Sequence, residues 1–354
     1  MSNLSARELA LATRLDQLSR SYPAAIEESD PIRFAAACGR PEDREVVAWI
    51  AAAFAYGRVE TILASVGRIA AALGPRPANS LDRISDFRRF AREDLAGFRH
   101  RFHSAHDAAA LLYAIARVRA GAGSVRAFFE REYRPGERDV AGLLSRVVKR
   151  IAVLDWRPVF GRRSLPQDSP VRFFFPDPAS GSACKRWNLF LRWMVRKDAL
   201  DFGLWPGIPT SRLVIPTDTH VHRVARRLGL TRRKSADWKT AREITDRLAR
   251  FDPEDPVRYD YALCEIGAAG ICRPALTASR CFECPLAEAC PAGRRRVHPS
   301  VIPRKPAPSP TCHSERSASR TCHSERSEES RHPVGDSLPL GGGGGSAARD
   351  LPAA

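Results

Sequence analysis

The sequence predicts an all-α protein on three observations. Apolar residues recur at helical spacing in one segment after another, Gly and Pro punctuate the intervals, and alternating strand patterns are nearly absent. Residues 42–56 place Val46, Val47, Ile50 and Phe54 on one helical face. Residues 59–73 do the same with Ile62, Val66, Ile69, Ala70 and Leu73, and Gly74-Pro75 stops the segment. Further helices are predicted over about 105–120, 124–133 and 139–154. Residues 187–196 carry Trp187, Phe190, Leu191, Met194 and Val195. Residues 219–229 carry Val221, Val224, Ala225 and Leu228, and 238–250 and 257–267 complete the set. The only strand-like runs are Phe173-Phe174-Phe175 and Leu213-Val214-Ile215.

Composition narrows the class of function. The 354 residues are 44% hydrophobic, which suits a packed core of one large domain or two ordinary ones. No apolar run approaches a membrane span. The first twenty residues are charged throughout and lack a signal-peptide apolar stretch, so a cytoplasmic location is expected. Cysteines are then expected to stay reduced, and clustered ones to be metal ligands rather than disulfides. The formal charge is +17. Residues 298–354 contribute only +1 of it, so the excess sits on the body, mostly as Arg. A basic globular body suggests a polyanionic partner, and nucleic acid is preferred over a mere genomic bias toward Arg.

Residues 298–354 are expected to be a disordered, low-complexity tail. Thr311 to Ser317 recurs as Thr321 to Ser327, flanked by prolines and by Gly341 to Gly345. No function is expected of Cys312-His313 or Cys322-His323. In contrast, Cys272, Cys281, Cys284 and Cys290 give C-x8-C-x2-C-x5-C. Four thiolates in nineteen positions suit zinc or an iron–sulfur cube, and the spacing does not distinguish them. Pro274, Pro285 and Pro291 stiffen a loop that a metal would cross-link. Cys264, in an apolar helical stretch, is expected to be a buried small hydrophobe.

The stretch Pro216 to Leu230, with Asp218-Thr219-His220-Val221 inside it, and the cysteines that follow resemble the helix-hairpin-helix DNA glycosylases. The pattern is most similar to endonuclease III and the MutY adenine glycosylases. Those carry D-T-H-V-x-R-V and a C-x6-C-x2-C-x5-C loop that binds a [4Fe–4S] cluster. The last three cysteines match that spacing, and the first gap is two residues longer. The resemblance is firm over roughly 180–292 and faint over 42–75. The phrase Gly181 to Arg196 also resembles an uncharacterised bacterial family of unknown function, a distant branch of the same superfamily.

The resemblance implies a two-lobed helical fold around a basic cleft. Residues 1–40 would be an N-terminal helix packing on the cluster lobe. Residues 41–217 would form a helical barrel lobe with the hairpin near 181–196, and 218–297 the cluster lobe. Asp218 falls at the catalytic aspartate, which stabilises a cationic sugar or deprotonates a nucleophile. It equally suits an N-cap for the helix beginning at Thr219. Gly181-x3-Lys185-x2-Asn188 matches the hairpin motif whose lysine attacks the sugar and gives lyase activity. The alternative for Lys185 is a phosphate-binding or solvated lysine. Two departures stand out: Ala183 occupies the second hairpin glycine, and Lys185 lies 33 residues from Asp218, with an insertion from Asp198 to Leu213 between them.

Gly181, Ser182, Arg186, Arg223, Arg226 and Arg227 are the candidate DNA contacts, with a solvated helix face as the alternative for the arginines. Tyr56 would stack in the gap left by a flipped base, or else be a core tyrosine with a satisfied hydroxyl. The expected function is DNA binding with base-excision glycosylase and lyase chemistry. The alternative is a non-catalytic nucleic-acid-binding module on the same scaffold. A structural [4Fe–4S] cluster is expected on the four cysteines, with zinc as the alternative. The expected partner is damaged or modified double-stranded DNA. No membrane association is expected, and the sequence implies no protein partner.

Overall fold

The computed structural model describes residues 4–21, 26 and 28–297. The expectations for the repeat-bearing tail, Cys312 to His323 included, lie outside the described residues. The described chain is mostly helical, as the periodicity predicts. Its α-helices in order are α1 (Ala6–Ser21), α2 (Arg33–Ala36), α3 (Pro41–Ala53), α4 (Val59–Leu73), α5 (Pro77–Arg83), α6 (Phe87–Glu93), α7 (Ala105–Ala122) and α8 (Val125–Glu132). There follow α9 (Ala141–Ala152), α10 (Arg157–Phe160), α11 (Lys185–Val195), α12 (Thr219–Leu228), α13 (Trp238–Leu248), α14 (Asp260–Ala268) and α15 (Pro291–Val297). None of them is long and apolar enough to cross a membrane.

Local chemistry sets many of these boundaries. Ser104 and Asp107 form a reciprocal capping box at the start of α7, which satisfies two otherwise orphaned N–H groups. Asp86, Ser124 and Asp237 are simple N-caps of α6, α8 and α13, each side chain accepting from backbone N–H groups of the first turn. Helix α3 stops at Ala53, three residues short of the predicted end, so Tyr56 lies in the following turn. Helices α5 and α6 were not predicted: Pro77 opens α5 as a first-turn proline, two residues after the Pro75 that ends α4.

Both strand-like runs prove otherwise. Residues Pro170–Phe174 form a 3-10 helix started by Pro170 and capped by Ser169, whose Oγ accepts from Val171 N at 3.3 Å. That turn buries Phe174 and leaves Phe173 exposed. Residues 213–215 are buried and extended with no strand partner; Ile215 N donates instead to Thr245 Oγ1 at 3.0 Å. The one sheet among the described residues is an unpredicted hairpin, β1 (Arg99–His100) antiparallel to β2 (His103–Ser104). The two-residue tip is Arg101-Phe102.

One hydrophobic core runs through the described chain, from Leu11 to Cys290. At its centre Trp49 of α3 packs on Phe129 of α8 and on Trp187 and Phe190 of α11, with ring centroids 5.4–5.7 Å apart. The insertion before Asp218 is anchored there. Trp205 is fully buried against Phe129 and Phe190, and its Nε1 donates to the buried Glu45 at 3.0 Å. Burial raises the Glu45 carboxyl above its ordinary range, with the Trp205 bond opposing. Helix α1 lies against α14 and the preceding 3-10 turn Pro256–Tyr259, where Tyr259 donates to Asp16 at 3.0 Å. Helices α12 and α14 approach so closely at Gly267 that a Cβ there would sit 2.7 Å from His220 Cβ, so only glycine fits without a shift.

Candidate active site and cysteine loop

The candidate site begins with a tight turn. Gly181 adopts φ 86 after a 3-10 turn at Pro178–Ser180. The second left-handed residue is Cys184, at φ 48, rather than Ala183 at the motif's glycine position. Cys184 is buried, its N–H donates to Ser182 Oγ at 3.2 Å, and burial pushes its thiol up to about 12. A side chain in this region costs about 1–2 kcal/mol, which the buried thiol's packing must offset. The turn is tied to α13 through Trp238 N, which donates to Gly181 O at 3.1 Å. It delivers Lys185 as the first residue of α11.

Asp218 arrives from the other direction. Its Oδ1 accepts from His220 N and Val221 N, both at 2.9 Å, and so caps α12. Its Oδ2 remains free of that role and stands 3.4 Å from Lys185 Nζ. The lysine also donates to Ala55 O at 3.4 Å, which ties it to the turn after α3. The Lys185 and Asp218 side chains are 34% and 19% exposed, open to a ligand yet partly desolvated. A separation of 33 positions in sequence therefore does not keep the two candidates apart.

A second carboxyl, Asp260, was not singled out from the sequence. It is buried, and Arg192 Nη1 donates to its Oδ2, while Oδ1 has no hydrogen-bond partner among the described residues. Burial pushes its carboxyl up to about 6, opposed by Arg192 and by Lys185, while the Asp218 charge adds to the rise. Nothing in its sequence context separates it from an exposed acid in a helix's first turn. Cys264 is half-buried and feels the same charges; burial pushes its thiol up to about 12.

The candidate DNA contacts divide into two groups. Gly181 and Arg226 are exposed and Ser182 is half-buried. Arg223 and Arg227 instead hold the cysteine loop. Arg223 Nε donates to Cys272 O at 2.7 Å, and Arg227 donates to Ser279 Oγ at 2.7 Å and Pro274 O at 2.8 Å. Arg186 is buried, not solvent-facing. Its guanidinium lies 3.7 Å from the Phe173 ring centroid and 5.4 Å from that of Tyr56, and it donates to Phe173 O. With no carboxylate against it, burial lowers its pKa to about 10. Tyr56 is half-buried, with its hydroxyl donating to His103 Nδ1.

Two of the four cysteines, Cys272 and Cys290, contact Arg227. Its Nη1 lies 3.1 Å from Cys272 Sγ, and Cys290 Sγ donates to its carbonyl at 3.4 Å. Gly293 N donates to Cys290 Sγ at 3.3 Å, the kind of N–H···S bond that sulfur ligands accept. Burial pushes the Cys284 thiol up to about 11, and Cys290, Cys272 and Cys281 add to that rise. Among the described residues, no group of three or more His, Cys, Asp or Glu side chains is placed to hold a metal ion. The donor set is chemically that of a soft-metal site, four thiols within one loop and one of them bonded to backbone N–H.

A family model described as Protein of unknown function (DUF2400) matches residues 30–269, more than half of the chain. That stretch includes Lys185, Asp218 and Asp260 and ends before Cys272. No curated protein and no solved structure matches. The chain belongs to the family of that description.

Proposed function

For this family member, whose family description names no activity, we propose DNA binding with base-excision glycosylase and lyase chemistry at Lys185 and Asp218. The observation that carries the reading is the 3.4 Å approach of Lys185 Nζ to Asp218 Oδ2, made by residues far apart in sequence. An amine must lose its proton before it attacks, and the Asp218 carboxylate is the acceptor within reach. The amine lone pair then bonds sugar C1′. The C1′–base bond breaks with its electron pair on the base, which takes a proton. The C1′–O4′ bond then breaks with its electron pair on O4′, which takes a proton from the attached nitrogen, and a protonated imine joins C1′ to Lys185. The charge excess of the body supports a polyanionic substrate.

Cys272, Cys281, Cys284 and Cys290 would hold a [4Fe–4S] cluster, or zinc, in a structural role. Arg223 and Arg227 would join that loop to the helix that Asp218 caps. Iron and sulfide content with a visible absorption band supports the cluster. A colourless anaerobic protein with stoichiometric zinc supports the alternative.

The second reading, a non-catalytic nucleic-acid-binding module, is favoured by the Asp218 cap, which accounts for that aspartate without chemistry. Borohydride trapping on abasic DNA separates the two. Wild type is expected to form a covalent adduct that Lys185→Ala abolishes. Asp218→Asn keeps an N-cap and is expected to slow base release from a panel of damaged duplexes about 100-fold. No adduct, together with base release no faster than that of Asp218→Asn, selects the binding module.

A further inference from the structure

Beside Lys185 lies a surface that the chemistry above does not use. The hairpin between β1 and β2 turns its two histidines inward, and both are fully buried. Ser65 Oγ donates to His100 Nδ1 at 2.8 Å, and His100 Nε2 donates to Tyr56 O at 2.9 Å. His103 Nε2 donates to Pro170 O at 2.9 Å while its Nδ1 accepts from Tyr56. These bonds fix the tip rigidly, with Arg101 in a left-handed conformation at φ 54. A non-glycine residue there is strained.

What the tip presents is aromatic. Phe102 is 48% exposed and Phe173 41% exposed. Their rings meet edge to face at 5.1 Å, and each touches Tyr56, at 6.0 Å and 4.9 Å. Beneath them the buried Arg186 stacks on Phe173, and its Nη1 has no hydrogen-bond partner among the described residues. Over residues 56–60, 99–104 and 172–174, four arginines (Arg58, Arg99, Arg101 and Arg172) stand against one carboxylate, Glu60. Arg58, Arg99 and Arg101 are exposed, and among the described residues none forms an ion pair within 4.0 Å. Greasy rings ringed by unneutralised cations suit a ligand with a flat π face and a negative backbone.

We infer that Phe102, Phe173 and Tyr56 form a stacking platform for one unpaired base of a DNA strand, with Arg58, Arg99 and Arg101 facing its phosphates. The inference rests on the DNA-binding reading and does not need the Lys185 chemistry. Ala55 O, one residue before Tyr56, accepts from Lys185 Nζ, so the platform borders the candidate site.

The test uses the full chain and two duplexes of one sequence, fully paired and with a single bulged 2-aminopurine. Wild type is expected to bind the bulged duplex more tightly and to change the 2-aminopurine fluorescence. Phe102→Ala and Phe173→Ala, both at exposed positions, are each expected to weaken that binding about 10-fold and leave the paired duplex unaffected. Phe102→Trp is expected to restore it. Equal binding of both duplexes by wild type, or alanine variants that keep its preference, overturns the platform and leaves DNA binding standing. Failure to bind either duplex overturns both readings. A wild-type dimer that Phe102→Ala dissociates, in sedimentation without DNA, would assign the platform to a second copy and also overturn it.

Discussion

Arg186 and Arg192 sit six residues apart on α11, both buried, and their surroundings are opposite. Arg192 Nε donates to Asp201 at 3.2 Å and its Nη1 to Asp260. Neighbouring Arg196 adds Asp198, Asp201 and Asp255 to the same network. Burial works against the Arg192 charge, but Asp201 and Asp260 outweigh it and hold the guanidinium above its ordinary pKa. Arg186 has aromatic rings and a carbonyl in place of carboxylates, and its pKa falls. One arginine is locked into the fold by its counter-charges; the other is a buried cation left uncompensated at the edge of an aromatic surface. Burial alone therefore does not say whether a charge is structural. The partner set does.

The largest loss is expected of Arg192→Leu, which strands Asp260 and leaves Asp201 to Arg196 alone. A loss of about 3–5 kcal/mol is expected in urea unfolding at pH 7.5. The loss should shrink at pH 5. The folded-state Asp260 value, about 6, lies above that of an unfolded carboxyl. Its contribution is therefore fullest at low pH and falls as pH rises through 6. An equal loss at both pH values would mean that Asp260 does not titrate in that window.

The aromatic side predicts the opposite sign. Burial lowers the pKa of His100 and of His103 below the ordinary 6.5. Their stabilising contribution is present above about 6.5 and is lost as pH falls through the lowered values. The stability gap between wild type and His103→Gln should narrow between pH 7.5 and 5.5, read from urea midpoints. A constant gap would contradict a neutral buried His103.

The smallest effect is expected at Arg186. Removing an uncompensated buried cation relieves desolvation, which offsets the lost stacking and carbonyl bond. Arg186→Met should stay within about 1 kcal/mol of wild type. A loss as large as that of Arg192→Leu would erase the distinction between the two arginines.

Much of this was legible in the sequence because it is local. Helical periodicity located α4 and α12 nearly to their ends, since each buries a stripe set by its own spacing. Asp218 was readable as an N-cap because the N–H groups it serves lie two and three residues on. The Phe173–Phe175 run misled because a triple apolar run fits a strand, and Pro170 with Ser169 supplied a competing turn. The β1–β2 hairpin escaped because its tip carries Arg101-Phe102 where turn residues such as Asn-Gly are the signal.

The helical class, the basic character and four cysteines at ligand spacing are readable without a structure, because composition and short-range repeats carry them. Tertiary structure alone decided that Lys185 meets Asp218 and that Arg223 and Arg227 turn toward the cysteine loop. It also decided that Arg186 lies under an aromatic shelf while Arg192 lies among acids. Most of those contacts join residues 33 or more positions apart, and the two arginines share one helix yet face different neighbours. Their energies depend on which distant groups share a low-dielectric pocket, a property that no window of sequence contains.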